Sequence, residues 1–519
     1  MSGRTFRFLA VAATLTVAGA CGRYRPALFA DREIVTAVHD EQPIAVPSRT
    51  SFDEPQQVSD IYLRRPLFDV VHPLDFPTAG DVNALDEVPR STWYDPEAAA
   101  QRGVPKATAL RPTPPLQVLD EEPLTTDDAL VVLDSSGSRY ELVADPPGHA
   151  GLATGADVLG GYLLRSLGLH APMAWVLEVR DSGITTDSEK SRARFSAWAK
   201  TKEVPTGGVR RVSATRWPGG IDVGVTSDFS TRSGDPNDET AHNDRRTVRA
   251  MKIFGDWIGF SRFGVRHTRD VYVGKPDEGH LVHYVVGTSK AFGTEDLRER
   301  PALDDGGGGL WWNLVTFGLS PTSVRAPVGS GYPCLGYLPS TLEPGQYDVS
   351  PPYSPFVRFT PADEYWAAKQ MASAGDDALR SGIAAADLPD MAATHLLRVL
   401  QNRRRILIDH GMSVVTPLDA AGTSGRLVFL QDRAILAGIA VPLHTRYEVE
   451  FLDRDGKELS RRAHLDAVGA ITGVPLPDGV SGLVVLHVRV VRNGRGAPRA
   501  CDVHVVVGRN GTRIIGVRH

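Results

Sequence analysis

From Ala129 onward, short apolar runs alternate with turn residues and with stretches whose apolar positions recur at helical spacing. Leu130-Val131-Val132-Leu133, the turn Asp134-Ser-Ser-Gly137 and the alternating Tyr140–Ala144 predict a β-hairpin. Val158, Leu159, Tyr162, Leu163 and Leu167 predict a helix over Thr154–Leu167, closed by Gly168. Strands are expected at Trp175–Val179, Val209–Val212 and Ile221–Val225, with a polar connection rich in Ser and Lys between the first two. Val248, Met251, Ile253, Phe254, Trp257 and Ile258 mark an amphipathic helix, and strands follow at Asp270–Val273 and Leu281–Val286. Helices are expected at Asp363–Ser373, Asp376–Ala384 and Met391–His410. Beyond Gly425 the pattern turns to β-runs: Leu427–Leu430, Tyr447–Leu452, Val484–Val491, Val503–Val507 and Ile514–Val517. With turns at Asp453-Arg-Asp-Gly456 and Arg492-Asn-Gly494, these predict a small antiparallel β-sandwich. No internal repeat is visible.

The first 125 residues lack this patterning. Arg4 and Arg7 precede an apolar core, Phe8–Val17, and Ala18-Gly19-Ala20 runs into Cys21. This is the layout of a secretory signal, and its core is short of the about 20 apolar residues that a permanent span needs. Cys21 stands where a bacterial lipoprotein is acylated, although Ala18 replaces the preferred larger aliphatic; export with a lipid anchor at Cys21 is the expectation, beside plain cleavage with an incidental cysteine. Between residues 22 and 125 prolines are frequent, ending in Arg111-Pro-Thr-Pro-Pro115, as suits a tether and an extended arm lying on a domain.

Length and charge narrow the function classes. A chain of 519 residues suggests roughly three folded units. Expected boundaries are a signal at 1–21, tether and arm at 22–125, a smaller lobe at 126–235, a larger helical lobe at 236–420, and the sandwich at 425–519. A formal charge of −5 gives no reason to expect nucleic acid as a partner. Three cysteines are too few for a disulfide framework, and nothing pairs Cys334 with Cys501.

Three stretches, Asp145-Pro-Pro-Gly-His…Ala-Thr-Gly-Ala-Asp157-Val, Asp235-Pro-Asn-Asp…Asp244-Arg-Arg…Trp257, and Asp363-Glu-Tyr-Trp-Ala-Ala368…Arg403-Arg-Arg…Pro417-Leu-Asp419, resemble in type and order a bacterial exported family with a HipA/CotH-like atypical kinase fold. The resemblance spans about residues 125–420 and implies an α+β, two-lobed kinase-like body followed by the sandwich. It also implies a lysine on a small-lobe strand, an acid on the next helix, a base and an asparagine in the loop after the large-lobe helix, and a metal-binding aspartate after the next hairpin. At the small-lobe strand this chain has Val143. Asp157 keeps the helix acid. Gly259-Phe-Ser261-Arg stands in the loop, His267 replaces the asparagine, and Gly287 replaces the metal-binding aspartate. Neither Gly nor His supplies the hard oxygen ligand that Mg²⁺ prefers. No catalytic residue, cofactor or metal is therefore expected, and a degenerate, pseudokinase-like module is the leading reading.

Other constellations read more plainly. Asp304-Asp305 before four glycines lacks the Lys-Ser/Thr of a phosphate loop and reads as a surface loop. His242 with Asp244, and His280 with His283, read as surface histidines rather than metal pairs. Asp235, Asp238 and Asp244 read as a helix-capping turn, Arg403-Arg404-Arg405 as a solvated or salt-bridged face, and Trp311-Trp312 and Tyr365-Trp366 as core. Serine-hydrolase and zinc-protease motifs are absent from the sequence. Two alternatives stay open beside a binding or scaffold protein with an unknown protein or envelope ligand. One is a phosphotransferase using displaced acids such as Asp222, Asp270 or Asp304. The other is a surface adhesin or carbohydrate binder acting through the β-unit.

Overall fold

The computed structural model describes residues 28–52, 78–100, 110–124, 129–203, 207–294, 330–347, 349, 352–509 and 511–519. Cys21, Asp304-Asp305 and Trp311-Trp312 lie outside them.

The first sheet is built from β1 (Leu116–Val118), β2 (Leu130–Leu133), β3 (Arg139–Ala144), β4 (Ala174–Arg180), β5 (Ile184–Thr185) and β6 (Val209–Arg216), in the order β4-β6-β3-β2-β1-β5. Side chains alternate across a strand, so its two faces differ in kind. Tyr140, Leu142, Ala144, Val212 and Ala214 make one apolar face, covered by Trp198 of α2 (Glu189–Lys200). The opposite face is polar and receives α1 (Leu152–Ser166). Strand β1 lies within the stretch expected as arm, and α2 occupies the stretch expected as a polar connection. That helix buries only Ser191 and Trp198 and starts from a Ser188–Ser191 capping box, so its apolar pattern is faint.

A second sheet, β7 (Ile221–Val225), β8 (Thr268–Val273) and β9 (His280–Val285), stands beside α3 (Arg246–Ile258), α4 (Pro361–Ala385) and α5 (Asp390–Gly411). Val248, Phe254, Trp257, Trp366, Leu379 and Leu400 share one core with α1. The two helices expected on either side of residue 375 are the halves of α4, which breaks at Gly375 (φ 67°, ψ 179°). Tyr365 and Trp366 are core, as expected. Arg403 fits the salt-bridged half of the expectation and not the solvated one: it is buried, pairs with Asp256 (3.2 Å), and its guanidinium donates to the Trp257 and Asp256 carbonyls at the C-terminal end of α3.

The C-terminal unit packs β10 (Leu418–Ser424), β11 (Leu427–Asp432) and β14 (Ile471–Pro475) against a larger antiparallel sheet. The larger sheet comprises β12 (Thr445–Leu452), β13 (Glu458–Asp466), β15 (Gly482–Arg492), β17 (Cys501–Gly508) and β18 (Gly511–Arg518), with the two-residue β16 (Arg495–Gly496) on β15. Val428, Leu430 and Val474 from one sheet meet Val449, Leu486 and Val503 from the other. The α+β class and the antiparallel C-terminal sheets match the sequence reading. Cys334 and Cys501 are both free.

Isolated bridges tie the arm to itself, Ala37 to Arg90, and to the rest, Ile44 to Gly279, Thr50 to Gly224 and Tyr94 to Leu169. Trp93 and Tyr94 enter the helical core. Among the described residues no helix is long and apolar enough to cross a membrane.

Candidate functional site

The polar face of the first sheet carries Glu141 and Val143 on β3 and Arg211, Ser213 and Thr215 on β6; Val143 pairs directly with Ser213, and Glu141 with Thr215. Directly paired residues project to the same side, so Val143 lies beside the Ser213 hydroxyl. Asp157 of α1 is buried against this face. One of its carboxylate oxygens accepts from Ser213 Oγ (2.9 Å) and Thr215 Oγ1 (2.7 Å). Thr288 Oγ1, arriving from the segment after β9, donates to the Asp157 carbonyl (2.9 Å) and leans on the other carboxylate oxygen. Gly160, one turn further along α1, is what lets Thr288 approach, since a Cβ there would collide with the threonine side chain.

Among the described residues no lysine or arginine pairs with Asp157. Burial raises its pKa above the ordinary carboxylate value, and the Thr215, Ser213 and Thr288 hydroxyls offset only part of this. Arg211, on the same strand face, is turned away. It donates to Thr154 Oγ1 (3.0 Å), the Ala386 carbonyl (2.7 Å) and Asp387 (2.9 Å). Asp145 serves the helix start, accepting from the backbone N–H groups of Gly151, Ala153 and Thr154.

The sequence-selected positions form a connected run. Gly287 immediately precedes Thr288, whose hydroxyl reaches Asp157. Val286 N–H donates to the His267 carbonyl (2.9 Å), which joins His267 to the same segment. The His267 ring is buried edge-on to Phe260 (4.6 Å between centroids), and Ser261 follows Phe260 in the turn after α3. Burial, with Arg266, Lys290 and Arg269 nearby, pushes the His267 imidazole down to about 3, so it is neutral at physiological pH. The hydroxyls of Ser213, Thr215 and Thr288 were not singled out from the sequence. Their only signal is alternation on β6, where polar 211, 213 and 215 interleave with apolar Val212 and Ala214.

A second polar cluster corrects the reading of the histidines. His242 and His283 are buried, not on the surface, and only His280 is partly exposed. His242 Nε2 bonds to Asp238 Oδ2 (2.7 Å), which also accepts from the Arg232 backbone N–H (2.6 Å), while Arg245 bonds to Asp238 Oδ1 (2.7 Å). His283 Nδ1 bonds to Asp270 Oδ1 (2.7 Å), and Arg232 and Thr226 complete that carboxylate. Trp93 from the arm stacks on His283 (4.1 Å) and meets His242 edge-on (5.0 Å). Asp238 is therefore the centre of an ion-paired cluster, and the start of α3 is capped by Asp81 of the arm instead (Arg246 N to Oδ1, 2.6 Å). Of the displaced acids, Asp270 is wholly enclosed, Asp222 bonds to Arg49 (2.9 Å), and Asp304 lies outside the described residues. Among the described residues no group of three or more His, Cys, Asp or Glu is placed to hold a metal.

No family model matches the sequence, nor does any curated protein. Among solved structures the chain is similar to the Golgi casein kinase with Mn/ADP bound, at 11% identity over 70% of this chain and 94% of that one, with a TM-score of 0.31. A second structure of the Golgi casein kinase gives 11% identity, the same coverage and a TM-score of 0.30.

Proposed function

We propose that this protein is an exported, lipid-anchored binding or scaffold protein of the cell envelope, built on a two-lobed kinase-like body that does not transfer phosphate. The observation that carries the reading is the surroundings of Asp157. In a working kinase the helix acid steers a lysine onto the nucleotide phosphates. Here the acid is satisfied by Ser213, Thr215 and Thr288, with Val143 beside them. Gly287, where the resemblance puts the metal-binding aspartate, brings no oxygen ligand on its side chain. Electrostatic stabilisation is most of what a protein gives to phosphoryl transfer, and loss of one such charge costs on the order of 10³–10⁵ in rate. The displaced-acid alternative is weakened by Asp270, whose carboxylate is taken up by Arg232, Thr226 and His283.

Titration with Mg-ATP tests this. Expected are an unchanged melting temperature and no phosphate transfer to protein, peptide or sugar acceptors; a nucleotide-dependent rise in Tm together with transfer overturns it. For the anchor, Cys21→Ser is expected to move the protein from the membrane to the soluble fraction. The carbohydrate-binding alternative is favoured by one feature, a polar recess of about 220 Å³ on the sandwich lined by Glu448, Glu450, Arg462, His487 and Arg489. Glycan-array binding that is lost in Arg489→Ala would support it.

A further inference from the structure

The sandwich ends in two loops without charge. Residues 434–443 read Ala-Ile-Leu-Ala-Gly-Ile-Ala-Val-Pro-Leu, and residues 467–470, which lead into β14, read Ala-Val-Gly-Ala. Both leave the same end of the unit. Arg446 near the start of β12 pairs with Asp466 at the end of β13, and Gln431 near the end of β11 pairs with Ile471 at the start of β14. Backbone bonds then tie the loops down: Ala467 N to Thr445 O (3.0 Å) and Asp432 N to Ala470 O (2.7 Å). The first loop is two-sided. Ala434, Ala437, Ile439 and Ala440 pack on the helical core, while Leu436, Val441 and Leu443 point outward. Leu443 is 87% exposed and Val468 is 92% exposed, beside a half-exposed Ile471. Two aliphatic tips thus stand outside the chain's described core.

Their composition selects an occupant. Protein interfaces concentrate binding energy in Trp, Tyr and Arg, and neither loop contains any of these. Aliphatic tips free of charge suit the hydrocarbon edge of a bilayer. The arm supplies the second argument. Phe29 lies on Gly516 and edge-on to His504 (4.9 Å), with the Arg518 guanidinium over its ring (4.5 Å), and Asp31 pairs with Arg513. Going back from Asp31 to Phe29, the chain therefore heads toward the Arg518 end of β18, the same end of the sheet that carries the loops. Six residues separate Leu28 from Cys21, seven steps along the chain and a reach of at most about 25 Å. Arg23 and Arg25 lie in that interval with no acidic residue, as suits an anionic lipid surface. The loop-bearing edge is four strand spacings away, about 19 Å.

We infer that Leu443 and Val468 insert into the membrane that holds the anchor, so that the sandwich docks on the bilayer. The inference rests on the anchored reading of Cys21. Full-length protein is tested with nitrobenzoxadiazole on Leu443→Cys or Val468→Cys; Cys334 and Cys501 are buried and stay unlabelled, and the labelled parent protein gives the background from Cys21 where that thiol is not acylated. The vesicles are phosphatidylethanolamine with phosphatidylglycerol. Met391→Cys, 72% exposed at the far end of α5, is the control. Expected is a several-fold rise and blue shift of emission at 443 and 468, and none at 391. Mass spectrometry of the N-terminus separates the two claims. An acylated protein with water-exposed probes overturns docking alone, and an unacylated protein whose probes still insert supports docking while refuting the anchor. An unacylated protein with exposed probes sinks both. Probe burial without vesicles that grows with protein concentration identifies a second copy as the occupant and overturns the inference.

Discussion

At Asp157 the competition is between desolvation and hydrogen bonding, and desolvation wins, with three hydroxyls offsetting only part of it. Asp157→Ala leaves Ser213 and Thr215 without their acceptor, while Thr288 keeps the Asp157 carbonyl, and unsatisfied buried polar groups cost about 1–3 kcal/mol each. A loss of about 2–4 kcal/mol is expected in urea unfolding. Asp157→Asn keeps the shape and an acceptor and removes the charge, so it is expected within about 1 kcal/mol of wild type. The pH dependence has a definite sign. A carboxyl whose pKa is raised on folding holds its proton more tightly in the folded state. The wild type therefore loses stability as pH climbs from the unfolded value, about 3.9, toward the folded one, and the Asn variant does not. The same site allows a test of the proposed loss of a lysine at position 143. Val143→Lys is expected to be less destabilising with Asp157 present than in the Asp157→Asn background, read as a coupling energy in a double-mutant cycle. Val143 and Gly287 were picked out by their order along the chain. The hydroxyl shell was not, because it exists only where β6, α1 and the Thr288 segment meet.

At the scale of elements, strong periodicity translated well and faint periodicity did not. Helix α3 has a dense apolar stripe with buried Val248, Met251, Phe254 and Trp257, and its boundaries follow the pattern closely. Helix α2 and strand β13 were invisible for one reason: each is mostly solvated, so polar residues interrupt any apolar rhythm. The histidines failed differently. A residue-type argument placed them outside, whereas the arm delivers Trp93 over them and Asp238 and Asp270 beneath. The break in α4 at Gly375 uses a backbone conformation that only glycine adopts cheaply, and Arg404 bonds to the carbonyl it exposes. Gly375→Ala is expected to cost about 1–3 kcal/mol, visible as a lower urea midpoint with unchanged slope.

For the molecule as a whole, the seam between the helical core and the sandwich is a network of buried charges. Asp86 of the arm bonds to Arg246 of α3 (2.8 Å) and to His519 after β18 (2.8 Å), and Lys369 of α4 bridges Glu87 and Asp419. Removing one member of such a pair costs about 3–5 kcal/mol because the partner is left charged and buried. Asp86→Ala is expected to lose that much and to open the 412–418 connection to limited proteolysis. Burial alone would discharge the His519 imidazole, but Cys501 and the Asp86 carboxylate beside it push its pKa up to about 10. A raised histidine pKa stabilises fully below the unfolded value and loses its contribution as pH rises toward the folded one. Between pH 7 and 10 the wild-type Tm is therefore expected to fall relative to His519→Gln. The arm closes the same seam from the other side. Asp31 finds Arg513 across a sequence separation of 482 residues, so during synthesis the arm waits for nearly the entire polypeptide before its docking surface exists. Until β18 is made, Phe29 lacks its docking surface, and the arm is expected to stay open to proteases in that interval.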